Sequence, residues 1–179
     1  GVGTSNLQNP TYTFTTPNTY NVKLVIISDF GCTDSITIPV TINPLPNADA
    51  GSNQVICNTG TVVIGGSPSS NTPNVSYLWD NSASLNDNTL SNPNASPSTT
   101  TRYTLTVTEN TTGCFDTSSV LVAVNPIPVV DFTVADTCIG NTTLFTDASS
   151  IVVGGIIGWT WDFGDAVGIS TQQNPSYTY

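Results

Sequence analysis

The chain has 179 residues, enough for one large domain or two small ones with a buried core, and it holds no Met and no His. Only Lys23 and Arg102 oppose twelve carboxylates, a formal net charge of −10, so nucleic acid is excluded as a partner and an anionic membrane surface would be repelled. Without His there is no Ser-His-Asp or Cys-His nucleophile, and no run of some eighteen apolar residues spans a bilayer.

Abundant Thr, Asn, Ser and Val with frequent Pro and Gly favour short strands joined by turns. Residues 20–27 alternate Tyr20, Val22, Leu24 and Ile26 with Asn21 and Lys23, the period of a half-buried strand. A turn at Gly31-Cys32-Thr33-Asp34 leads to Ile36, Ile38, Val40 and Ile42, an edge or bulged strand because Pro39 lies in it. Asn43-Pro44-Leu45-Pro46 stops that strand and forms a stiff linker. Next come a segment bearing Cys57, strands over 61–64 and 75–79, and Asn92-Pro93. Strands over 102–107 and 119–124 flank Gly113-Cys114 and run into a second linker, Asn125-Pro126-Ile127-Pro128. Cys138 and strands over 142–145 and 156–161 precede a terminal phrase, GISTQQNPSYTY, that nearly repeats residues 3–14.

These elements are periodic. Gly31-Cys32 and Gly113-Cys114, the two Asn-Pro-x-Pro linkers, and Trp79-Asp80 and Trp161-Asp162 all lie 82 residues apart, with Cys57 and Cys138 at 81. Asn9-Pro10-Thr11-Tyr12 returns 165 residues later as Asn174-Pro175-Ser176-Tyr177. Two module types therefore alternate: residues 1–43 are the back half of one A module, 44–125 a complete B module, and 126–179 the front half of the next A. Seven or so short strands per module indicate a β-sandwich with Trp79 and Trp161 in the core, and Tyr20 and Tyr103 placed to close a corner.

Trp159-Thr160-Trp161-Asp162-Phe163-Gly164-Asp165, with Asn174-Pro175-Ser176-Tyr177 after it, resembles the PKD (polycystic kidney disease) domain family; Ala166 stands where that family usually has Gly. The resemblance covers residues 126–179 and 1–43, and more distantly 44–125, where Trp79-Asp80-Asn81 replaces the signature. It implies an all-β architecture of tandem immunoglobulin-like sandwiches, a secreted, extracellular or cell-surface place, and no catalysis. Copies carrying the Gly-Cys-x-Asp hairpin resemble those in long repetitive bacterial surface proteins, adhesins among them.

Four separated cysteines with no CxxC pair fit disulfides in an oxidising compartment. Strand order puts one Cys before the second strand of each module and one at the turn into the last. The expected bond is therefore Cys57–Cys114 within B, with Cys32 and Cys138 each pairing to the adjoining repeat so as to close an A module.

Asp162 and Asp165 are the most site-like carboxylates. A structural calcium would need further oxygen ligands, and no DxDxDG loop is present, so the expected role is turn formation and no cofactor is expected. Trp159, alternating with Trp161, is the candidate for an exposed surface that stacks on sugars. Asn74, Asn94, Asn110 and Asn141 fit glycosylation sequons that an Asn/Thr-rich chain also produces by chance, and Asp34-Ser35-Ile36 resembles an O-glycosylation sequon.

The expectation is a structural repeat, not an enzyme: an internal piece of a longer processed chain forming a filament, stalk or adhesin shaft. Its partners are neighbouring copies end to end, with surface glycans or other cells as further candidates. The alternative is an accessory carbohydrate- or protein-binding module of a secreted degradative enzyme.

Overall fold

The computed structural model describes residues 3–179. The strands are β1 (Asn18–Ile27), β2 (Thr33–Ile42), β3 (Gln54–Cys57), β4 (Val62–Val63), β5 (Val75–Trp79), β6 (Asn94–Ala95), β7 (Thr101–Glu109), β8 (Phe115–Asn125), β9 (Phe132–Val134), β10 (Thr142–Asp147), β11 (Trp161–Asp162), β12 (Ile169–Ser170) and β13 (Ser176–Thr178). A single turn of 3-10 helix, Ser82–Ser84, is the only helix among the described residues, so the fold is all-β as the composition requires. The chain forms two compact units: the described residues up to Ser52 with Val63–Ala95 and Arg102–Val120, and Asn53–Val62 with Ser96–Thr101 and Leu121–Tyr179.

In the first unit β1 and β2 form an antiparallel hairpin running from Asn18↔Ile42 to Ile27↔Thr33. Pro39 stands opposite Asn21 without interrupting the pairing, because β2 is the edge of a two-stranded sheet and its missing amide costs little there. The hairpin turn is closed by Gly31 N donating to Ser28 O at 2.9 Å. Gly31 has φ 78° and its repeat equivalent Gly113 has φ 73°, a conformation that side chains resist. The Tyr20 hydroxyl donates to Thr16 O at 2.9 Å, and the Tyr103 hydroxyl bonds that of Ser84 at 2.6 Å.

The same unit holds most of the core of the stretch read from the sequence as the complete module, residues 44–125. β5 pairs antiparallel with β7, Trp79 opposite Leu105, and β7 turns into β8 where Glu109 N donates to Cys114 O. Trp79, Tyr103, Leu105, Val107 and Val120 are fully buried from this layer. Ile64, Ala50 and Ala95 close the core from segments tied by Gly65 N to Ala50 O and Ile64 N to Pro93 O. Two packed layers of short, mainly antiparallel strands make an immunoglobulin-like β-sandwich.

In the second unit the last residues of β8 pair in parallel with β3, Gln54 opposite Val122 and Cys57 opposite Asn125. The four-stranded sheet thus has the order β3-β8-β7-β5. After the Asn125–Pro128 linker, β10 lies between β9 and β13, and among the described residues β11 pairs only with β12. The strand expected over 156–161 is confined to Trp161–Asp162. Its counterpart β5 is held by β7, whereas residues 156–160 find no such ladder and their backbone stays irregular.

Candidate functional site

The hairpin and residues 126–179 are the stretches read from the sequence as the back and front halves of an A module. β1 and β2 correspond to β7 and β8, yet positions buried in the complete module are open in the hairpin. Val22, Leu24 and Ile38 are 46, 58 and 54 % exposed, while Leu105, Val107 and Val120 are 0 % exposed. Alternation set the pattern of an inward face; among the described residues Phe14 packs on Tyr20 at 4.4 Å, while Val22, Leu24 and Ile38 stay open.

The stretch read as the front half-module has β11 paired, among the described residues, only with β12. Its core is an aromatic cluster: Phe132 meets Trp161 edge to face at 5.2 Å, Phe145 lies 5.8 Å from Trp161 and 5.1 Å from Phe163, and Phe163 stacks on Tyr177 at 4.3 Å. Trp79 is sealed in the complete module, whereas Trp161 remains half-buried.

The Asp162–Asp165 turn is built by local hydrogen bonds. Asp162 Oδ1 accepts the Gly164 amide, and Asp165 Oδ1 accepts the amides of Val167 and Gly168 at 3.0 and 2.7 Å. The Tyr177 hydroxyl donates to Asp165 Oδ2 at 2.5 Å. That bond, with the Gly168 and Val167 amides behind it, lowers the Asp165 carboxyl to about 2, and the same bond raises the Tyr177 phenol. Ala166 sits in this turn at φ 64°. Among the described residues no three His, Cys, Asp or Glu side chains gather as a metal site.

Trp159 is half-buried, and its Nε1 donates to Asp147 Oδ2 at 2.8 Å, so it is not the free outward platform that alternation suggested. Asp147 is a node that sequence reasoning missed. It also accepts the Ser149 amide and Gln173 Nε2, and its own amide donates to Asn174 Oδ1. Bonds from Ser149, then Gln173 and Trp159, lower Asp147 to about 2. Glu109 was missed as well. It accepts the Thr112 hydroxyl and the amides of Thr111 and Thr112, which lower it to about 2 and shape the turn before Cys114. The Thr-Thr pair beside Glu109 is the one local signal that pointed to it.

The expected cysteine pairing needs correction. All four thiols are free, with Cys32, Cys57 and Cys138 exposed and Cys114 half-buried. Cys57 stands opposite Asn125, the last residue of β8, while Cys114 immediately precedes the first residue of that eleven-residue strand. At about 3.3 Å per residue the strand is roughly 36 Å long. A disulfide needs Cα atoms within about 7 Å, so Cys57 and Cys114 of one module cannot bond. Strand order suggested the pair because it is silent on the parallel β3–β8 register.

Neither a family model nor a curated protein matches the chain. Among solved structures it is similar to the N-terminal eight Ig domains of Down Syndrome Cell Adhesion Molecule, with TM-score 0.45, 12 % identity, and coverage of 78 % of this chain and 26 % of that one. It is also similar to titin domains I67–I69 in an E-to-A mutated variant (TM-score 0.35, 14 % identity, 73 % and 56 % covered) and to extracellular domains 3–5 of Drosophila OTK (0.33, 12 %, 71 % and 47 %). The chain spans between about a quarter and just over half of the length of these chains.

Proposed function

We propose that the chain is a stretch of an extracellular, load-bearing array of immunoglobulin-like modules, in which each hairpin of the β1–β2 kind completes the half-module that precedes it. The reading is supported above all by the exposure of Val22, Leu24 and Ile38 in the hairpin, where their equivalents Leu105, Val107 and Val120 in β7 and β8 are fully buried. Completion would set Val22 opposite Trp161 and Asn43 opposite Cys138, as Leu105 stands opposite Trp79 and Asn125 opposite Cys57 in the complete module. The array serves as a stalk, filament or adhesin shaft, since serial stacking gives length without any ligand. Scarcity of Lys and Arg leaves trypsin-like proteases few sites.

The test uses the full chain lengthened after Tyr179 by a second copy of residues 15–43. Residue 15 is the natural continuation, because residues 3–14 and 168–179 are the same stretch one period apart. Each Val, Leu or Ile side chain newly buried contributes about 1.5–3 kcal/mol. The front half-module should then unfold at least about 10 °C higher than in the 179-residue chain, given about 4–8 °C per kcal/mol for a domain of this size. An unchanged transition would overturn the reading.

A further inference from the structure

The register that forbids an intramodular disulfide also says where the thiols go. Cys57 lies at the end of the module where β8 finishes and the linker begins, and Asn58 N donates to Asn125 O at 2.8 Å there. Cys114 lies at the start of β8, at the opposite end of the same strand. The 82-residue correspondence transfers this polarity to the A module: Cys138 falls at its far end and a Cys32-type cysteine at its near end.

Next to Cys57, Asn58 lines a cleft within the second unit. The cleft, of about 300 Å3, is also lined by Thr100, Pro126, Val152 and Val153. The residue next to Cys57 therefore already fronts the loop around 150–156.

In the complete module the corresponding loop carries the cysteine turn. Asn110 N donates to Asn74 O at 3.0 Å and Asn74 Nδ2 donates to Thr111 Oγ1 at 3.1 Å, just before Gly113 and Cys114. Residue 74 corresponds to 156 in the A module. A Ser28–Cys32 turn seated on its own module in that way lies over the loop that borders Asn58.

We propose that the disulfides of this protein clip neighbouring modules together: Cys57 bonds the Cys32-type cysteine of the A module that follows it, and Cys138 bonds the Cys114-type cysteine of the next B module. This rests on the array reading. Each bond forms by exchange with a disulfide oxidant of the thiol-oxidase or glutathione class. The two module thiols lose two protons and two electrons, one S–S bond forms, and the oxidant's S–S bond is reduced to two thiols. The result is a covalent staple across every linker, so that tension is carried past the Pro-containing junctions by two connections instead of one.

The experiment takes the full chain with residues 15–43 appended after Tyr179, oxidised in a glutathione redox buffer, alkylated, and digested without reduction for peptide mass mapping. The expected product joins Cys57 to the appended copy of Cys32, leaving Cys114, Cys138 and the original Cys32 alkylated because their partner modules are absent. A Cys57→Ser variant should lose that bond and gain no other. Recovery of Cys57–Cys114, or of Cys138 joined to the appended Cys32, overturns the proposal. So does alkylation of both Cys57 and the appended Cys32. The unfolding transition of the same sample separates the two ideas: a stabilised front half-module without the bond sinks the clip alone, and an unstabilised one without the bond sinks the array reading with it.

Discussion

Trp79 and Trp161, 82 residues apart, make the same hydrogen bond: each indole Nε1 donates to the carbonyl of the residue eleven positions on, Leu90 at 3.0 Å and Gln172 at 2.8 Å. The two sites differ in cover, for Trp79 is 1 % exposed and Trp161 is half-buried. Trp79→Phe loses the bond and leaves a void, and should cost about 3 kcal/mol of the complete module's stability. Trp161→Phe should cost the front half-module less than half of that. Urea unfolding of each variant reads both values, and equal costs would contradict the difference in burial.

The Asp165–Tyr177 bond makes stability depend on pH at both extremes. Asp165 titrates near 2 in the folded chain against an ordinary value of 3.8, so its contribution is present above about pH 4 and is lost as pH falls toward 2. Tyr177 is raised from 10.0, so its contribution is present below pH 10 and is lost as pH rises through the folded value. Tyr177→Phe should move the Asp165 midpoint back up toward 3.8 in a carboxyl-detected NMR titration. A midpoint that stays near 2 would assign the depression to the Gly168 and Val167 amides alone.

Ala166 holds φ 64° within that turn, where an L side chain is strained. Ala166→Gly should be neutral or up to about 1 kcal/mol stabilising by thermal unfolding. Gly168→Ala should do the opposite, because an added Cβ would lie 2.5 Å from the Tyr177 ring and displace the Asp165 bond.

Much of this architecture was legible in the sequence because its signals are local or periodic. Tyr20, Val22 and Leu24 alternate, Pro and Gly punctuate, and the Gly-Cys, Trp-Asp and Asn-Pro phrases return at a fixed spacing that the hydrogen bonds repeat. Pro93 O accepts the Ile64 amide as Pro175 O accepts that of Phe145, which gives the Asn-Pro phrase a role in tying two segments together. What stayed hidden depends on non-local pairing. The parallel β3–β8 register, which sets Cys57 beside Asn125 and away from Cys114, leaves no mark in spacing. The Asp147–Trp159 bond was equally invisible, since residue 147 corresponds to Gly65 or Gly66 in the B module and the periodicity offers no equivalent carboxylate. The strand at 156–161 is shorter than its pattern suggests for a related reason: its propensity is realised only against a partner strand.

The most direct test of the central claim is amide hydrogen exchange at residues 157–161, measured in the 179-residue chain and in the chain carrying a second copy of residues 15–43. If the hairpin completes the half-module, these amides enter a ladder with the appended Val22–Ile26 stretch and their exchange slows by orders of magnitude, toward that of residues 75–79. Exchange at 157–161 that remains as fast in the lengthened chain as in the shorter one would contradict the account.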